Sequence, residues 1–225
     1  VSRCMASVAD WSRHQGYTYH CIGDNLFDWV TPGLRAKLHD RKPILADLAR
    51  LRWIESELAV RGGLVVWIDA DALVVDPTWH MPDWTHTFFG EECWVQRTAE
   101  GAWRAFQSPH NAFMGFTAAS PVLGFLVYLS ESIIERADAA HIAPQMVGPK
   151  LLKALNNLAR FTLVPEAGAV SLELLAEWVG EAGPATACYE QAARAPLALV
   201  NLCSSLTHSE EAVQRVGQFL ARHGA

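Results

Sequence analysis

Two aspartates, Asp69 and Asp71, stand one residue apart in VVWIDADALVVDP (65–77), a run that is otherwise mostly apolar. In extended backbone, positions i and i+2 project to the same face, so both carboxylates can converge on one point. Two carboxylates that close repel each other unless one is protonated or a cation lies between them. A divalent ion held by hard oxygen ligands meets that need. Magnesium or manganese is the natural choice, because such ions keep open positions for substrate phosphates. A pair at the C-terminal end of a strand thus points to a diphosphate-bearing ligand, bound where open α/β sheets bind ligands. The competing reading makes the two aspartates a turn or a helix cap. The apolar residues around them favour the ligand, since such a segment has little other use for charge.

A second pair, Asp47 and Arg50, lies three residues apart on one face of a predicted helix just upstream. On an exposed face they would form an intrahelical salt bridge worth roughly a few tenths of a kcal/mol. Turned into a cleft, Asp47 would accept hydrogen bonds from sugar hydroxyls and Arg50 would donate to sugar or phosphate.

The elements that must position these groups read as α/β. Met5, Val8 and Trp11 recur at helical spacing over 2–14, and GYTYHCI (16–22) reads as a short strand. Pro43 opens a helix whose apolar face carries Ile44, Leu48, Leu51, Ile54 and Leu58 until Gly62 and Gly63 stop it. The unbroken LVVWID that follows predicts a central strand covered on both sides. Strands are expected at 86–96, 111–118, 161–165 and 197–203, and helices at 121–137, 149–159 and 210–223. Residues 165–195 are harder to read, with SLELLAEWV as one helical stretch. A helix feeding a buried strand is the α/β pattern, and one domain over 1–225 is the expectation.

Composition narrows the partners. Net charge is −6 with a sequence pI of about 5.8, which leaves no basic field to draw nucleic acid. The five cysteines (Cys4, Cys21, Cys93, Cys188, Cys203) are odd in number and never spaced CxxC, which argues against a disulfide framework and a zinc site. That usage suits a reducing, cytoplasmic compartment. No apolar run reaches the roughly 18 to 20 residues of a membrane helix. The chain starts at Val1, so an upstream leader stays open.

Taken together, ADLAR with Asp47 and Arg50, then Gly62 and Gly63, then an apolar strand ending in Asp69 and Asp71, resembles the glycosyltransferases with a DXD sugar-binding motif. These are the retaining enzymes of the capsular-polysaccharide and initiating-mannosyltransferase kind, related to the clostridial glucosylating toxins. Weaker likenesses in SVADWSRHQGYTYHCIGDNLFD, NAFMGF and VGPKLLKAL extend the resemblance over most of residues 2 to 160.

The resemblance implies a GT-A type α/β fold: a nucleotide-sugar-binding sheet over about 1–118 and a small acceptor region over about 119–225. It implies a retaining, metal-dependent transfer of sugar from a UDP- or GDP-sugar to a glycan or other hydroxyl acceptor, as in polysaccharide biosynthesis. Asp71 would bind Mn2+ or Mg2+ directly, and Asp69 would bind metal, ribose or sugar. Asp47 and Arg50 would hold the donor sugar, with Asn111 near sugar and diphosphate. The sequence departs from the family at its closing H-x-x-x-S-W segment, where VNLCSSLTHS places Asn201 for His and Leu206 for Trp. Asn201, Ser205 or His208 could complete the metal shell instead. The family's first strand would lie before Val1.

Two rivals stand beside this reading. One is a catalytically degenerate nucleotide-sugar-binding or interaction protein of the same fold. The other is a haloacid-dehalogenase-like phosphatase, which also carries aspartates two apart after an apolar strand but leaves Asp47 and Arg50 without a role. Among lesser candidates, Trp84 or Trp103 could stack on an acceptor sugar. Glu91 or Glu92 could act as a general base or form a solvated turn. His14, His20, His39 and His110 show no metal spacing and fit surface or satisfied positions.

Overall fold

A computed structural model describes residues 1–81, 86–138, 141–202 and 209–223. The architecture is mixed α/β, a six-stranded sheet flanked by helices. Helix α1 spans Ser2–His14 and buries Cys4, Val8 and Trp11. It closes at Gly16, whose φ of 74° lets the chain reverse and the Tyr17 amide donate to the Ser12 carbonyl at 2.8 Å. A 3-10 turn at Asp24–Trp29 and the short α2 (Pro32–Lys37) lead into α3 (Lys42–Arg61). Pro43 starts α3, and it stops at Gly62 and Gly63 with φ of 65° and 71°.

The sheet contains β1 (Leu64–Ile68), β2 (Ala72–Val74), β3 (Thr87–Arg97), β4 (Trp103–Thr117), β5 (Thr162–Val170) and β6 (Leu199–Asn201), in the order β1-β4-β3-β5-β6-β2. The β1–β4, β3–β4 and β2–β6 pairs are antiparallel, whereas β5 runs parallel to both β3 and β6. The remaining helices are α4 (Pro121–Arg136), α5 (Pro149–Ala159), α6 (Leu172–Val179), α7 (Pro184–Ala192) and α8 (Glu210–His223). The Ser120 hydroxyl caps α4 and the Ser171 hydroxyl caps α6, each accepting from first-turn amides. Glu177 accepts from the amides of Gly183, Ala185 and Thr186, tying α6 to the first turn of α7.

One topological fact governs the site. Strands β1 and β2 occupy opposite ends of the sheet order, yet only residues Asp69 to Asp71 join them. Residues 68 and 72 can be no more than about 14 Å apart, so the sheet must curl until its ends meet. The curl comes from two interruptions in the middle strands. Against β3, the β4 register jumps from Phe89↔Met114 to Gly90↔His110, and the β5 register jumps from Gly90↔Val164 to Glu91↔Gly168. Extra residues on one strand of a pair bend it sharply.

Two expectations need correcting. Residues 16–22 are not a strand: Gly16 lies in a turn, the backbone beyond it has no regular pairing, and Tyr17 and Tyr19 are 40% and 39% exposed. A β-type sequence becomes a strand only where a neighbouring strand accepts its ladder. For the same reason β1 is an edge strand and not a central one. Helices cover its faces, with Val65 and Trp67 packed beside α3 and α4 residues and Val66 and Ile68 beside Val8 and Trp11 of α1. Its strand edge away from β4 has no partner among the described residues, which leaves Val65 to Ile68 half-buried.

Candidate functional site

Asp47 and Arg50 lie on the packed side of α3, only 7% and 8% exposed, and this excludes the solvated salt bridge as their whole account. The same periodicity that buries Leu48, Leu51 and Ile54 carries both groups inward. Buried charge requires partners, and the chain supplies them. Arg50 Nη1 donates to Asp69 Oδ1 at 2.9 Å and to the Asn111 carbonyl at 3.0 Å, and Nη2 lies 3.3 Å from Asp47 Oδ1. Its guanidinium carbon stands 5.5 Å from the centre of the Trp67 ring. The Asn111 amide donates to Asp47 Oδ1 at 2.7 Å. Asp47, Arg50, Asp69 and Asn111 thus form one hydrogen-bonded cluster linking α3, the end of β1 and β4.

The sequence argument for a cation between the paired carboxylates is met in part by the protein itself. Arg50 neutralises Asp69, and Trp67 Nε1 donates to the same Oδ1 at 2.6 Å. Asp71 faces the other half of the sheet, where the Asn201 amide donates to its Oδ1 at 2.6 Å and its carbonyl accepts from the Leu202 amide at 3.1 Å. The β2–β6 pairing aligns Ala72 with Asn201 and so places that amide beside Asp71. Three carboxylates against one guanidinium leave an excess of negative charge. The chain responds: burial pushes Asp47 up to about 6 against the opposing pull of Arg50 and Asn111. Burial first, and Asp69 second, raise Asp71 as well.

The irregularity of β4 fixes the cluster. As Asn111 leaves the β3 register, its carbonyl turns to Arg50, and the Ala112 carbonyl accepts from the Asp69 amide at 2.8 Å. His110 braces that departure. Its Nδ1 accepts from the Ala112 amide at 3.1 Å and its Nε2 is 3.0 Å from the Ala167 carbonyl on β5, which assigns the proton to Nε2. Burial holds its pKa down to about 4, so the ring is neutral. Gly90 makes room for it: a Cβ there would come within 2.2 Å of His110 Nε2. Gly148, at the start of α5, likewise lets the backbone close on the site, since a Cβ there would lie 2.3 Å from Asp47 Oδ2 and 3.0 Å from Asn111 Nδ2.

Sequence reasoning therefore brought together Asp47, Arg50, Asp69, Asp71, Asn111 and Asn201, and missed Trp67, His110, Gly90 and Gly148 as their supports. Trp67 carried a usable signal, because it precedes Asp69 by two on the same face of the strand. His208, Ser205, Leu206 and Trp84 lie outside the described residues. Trp103 packs near the β3–β4 turn beneath Arg97, whose guanidinium carbon is 5.0 Å from its ring centre. Glu91 is no solvated turn residue: it is 5% exposed within β3 and ion-paired to Arg194. Glu92 accepts from the Ser108 hydroxyl at 2.8 Å. Cys4, Cys21, Cys93 and Cys188 are free thiols. Among the described residues, no group of three or more His, Cys, Asp or Glu could hold a metal ion, and no helix is long and apolar enough to cross a membrane.

No family model matches this chain, and neither the curated proteins nor the solved structures provide a match.

Proposed function

We propose that the chain is a nucleotide-sugar-dependent glycosyltransferase of GT-A type that uses Mn2+ or Mg2+ and retains anomeric configuration. The observation that carries the reading is the Asp47–Arg50–Asp69–Asn111 cluster, with Asp47 and Arg50 buried and Asp69 and Asn111 half-buried, set directly against Asp71, where the two ends of the sheet meet. A stable core gains little from gathering one buried and two half-buried carboxylates around a single guanidinium, whereas a site for a polyhydroxylated, diphosphate-bearing ligand needs such groups.

The residues suit a hard divalent ion. Asp69 and Asp71 each commit Oδ1 to a protein donor, and among the described residues Oδ2 of each has no hydrogen-bond partner. Asp71 would bind the ion, with Asp69 and the Asn201 side chain beside it, and open positions left for ligand oxygens. Such an ion neutralises charge developing on a leaving diphosphate, Lewis-acid help worth several kcal/mol. Asp47 would accept from sugar hydroxyls, and Arg50 would orient the sugar while holding Asp69 in place, a contribution through positioning. No side chain here is assigned as a covalent nucleophile. Asp69 is a poor candidate for the phosphatase alternative, because Arg50 and Trp67 both occupy its Oδ1.

One observation favours a binding-only member of the same fold. Asn201 turns its amide donor to Asp71 in place of an imidazole ligand. Calorimetric titration of UDP and then GDP, with and without Mn2+, on wild type and Asp71→Ala tests the donor site. Metal-dependent binding lost in the variant supports it, and absence of binding by either nucleotide overturns it. Donor consumption by the wild type then separates transferase from binding protein.

A further inference from the structure

A cleft of about 430 Å3 shares no residue with the acidic cluster and is lined by Asn156, Arg160, Phe161, Leu163, Pro165 and Arg194. Its polar side chains present donors. Asn156 spends its Oδ1 accepting the Phe161 amide at 2.8 Å, and its Nδ2 has no partner among the described residues. Arg194 spends Nε, at 2.7 Å, and Nη2 on the buried Glu91, and its side chain is still 51% exposed. Its Nη1 has no partner among the described residues. Arg160 is exposed, and no carboxylate among the described residues pairs with it. Among the described residues no carboxylate lines the cleft, although the chain as a whole is acidic at −6. Phe161, Leu163 and Pro165 supply an apolar wall.

The backbone adds an independent observation. Arg160 ends α5 with φ 49° and ψ 76°, and among the described residues no other non-glycine has positive φ. Glycine or asparagine takes this left-handed cap at lower cost, and Arg160, being exposed, gains no burial to offset it. A strained backbone position at the rim of a cleft, its side-chain charge left unpaired among the described residues, points to a ligand.

We infer that Arg160, Arg194 Nη1 and Asn156 Nδ2 form a binding site for an oxyanion carried on an apolar or ring-shaped body, a carboxylate or a phosphate monoester. Glu91 fixes the Arg194 fork, so its free edge is oriented in advance, and planar guanidinium groups match either anion.

The test is a two-dimensional NMR titration of the full chain with benzoate and with phenyl phosphate, using neutral benzamide as control. Wild type, Arg160→Gln and Arg160→Gly are compared, with a thermal melt of each. The expected result is a saturable shift of the Phe161 and Leu163 amides by at least one of the two anions and not by benzamide. That affinity should weaken about tenfold or more in both variants, the loss expected for a charge-assisted contact. Arg160→Gly should also melt a few degrees higher, by roughly the relief of one strained residue. Equal affinity in wild type and Arg160→Gly, equal response to benzamide, or no saturation with either anion would overturn the inference. Retained binding in Arg160→Gln would overturn it as well.

Discussion

Arg50 on α3 and Asp69 at the end of β1 meet at 2.9 Å, with the arginine side chain only 10% exposed and the aspartate 25%. The pair joins the helix to the strand and places a fixed positive charge beside the DxD segment.

Removing that charge should be costly. Arg50→Ala leaves Asp47 and Asp69 without their cation, and a buried ion-pair network broken on one side loses about 3 to 5 kcal/mol. Arg50→Lys keeps the charge but loses the fork that reaches Asp69, Asp47 and the Asn111 carbonyl together, so a smaller loss of about 1 to 3 kcal/mol is expected. Urea unfolding measures both. An Arg50→Ala protein as stable as wild type would show that the network does not hold α3 to β1.

Two glycines should separate folding from function. In Gly90→Ala the new methyl meets the His110 ring and, at 2.5 Å, the Ala167 carbonyl, so strand backbone must move and about 2 kcal/mol or more should be lost. In Gly148→Ala the contacts are side-chain atoms of Asp47 and Asn111, whose far ends give way more readily than strand backbone. Stability should change by about 1 kcal/mol or less there, while Mn2+-dependent nucleotide binding falls about tenfold. Thermal melts paired with calorimetry decide, and equal effects of the two substitutions on folding would contradict the assignment.

Asp47 and His110 should give opposing pH dependences. Burial raises Asp47 from 3.8 to about 6, so its stabilising protonated form is fully present below the unfolded value and is lost as pH rises through 6. Burial lowers His110 from 6.5 to about 4, so its contribution is present above 6.5 and lost as pH falls through 4. Between about pH 4 and 6 the two slopes oppose. Relative to wild type, Asp47→Asn should make stability climb more steeply with pH in that window, and His110→Gln should make it climb less. Denaturant midpoints across the window read the difference, and identical slopes in the two variants would refute it.

Asn201 should matter for metal more than for folding. Its amide is the side-chain donor to Asp71, and loss of such a supporting partner typically costs about 10- to 100-fold in metal affinity. Asn201→Ala should therefore weaken Mn2+ binding at least tenfold in titrations read by the spin resonance of the free ion, and Asp71→Ala should abolish it. Unchanged Mn2+ affinity in Asp71→Ala would place the ion elsewhere.

Much of this was legible in the chain. The periodicity of α3, with Pro43 before it and Gly62 and Gly63 after, located both the helix and the buried pair within it. The i, i+2 spacing put Asp69 and Asp71 together. Long-range pairing was not legible. LVVWI carries the composition of a buried strand, and only the tertiary arrangement decides whether one neighbour or two flank it. GYTYHCI has the composition of a strand and lacks a neighbour to pair with. The β5 segment Glu166–Val170 and helix α7 escaped notice because alanine and glycine give weak periodicity. His110 and Gly90 could not be joined without the register jump that brings them face to face.

The curl of the sheet also sets when the site can exist during folding. Asp69 is secured by contacts to α3 and β4, whereas Asp71 is held by Asn201, 130 residues downstream. Contacts that distant form late, after the loop-closure entropy of the intervening chain has been overcome. The two aspartates are neighbours in sequence but belong to different stages of assembly. A chain still emerging from the ribosome would display Asp69 already clasped by Arg50 and Asp71 unheld until β6 has been added.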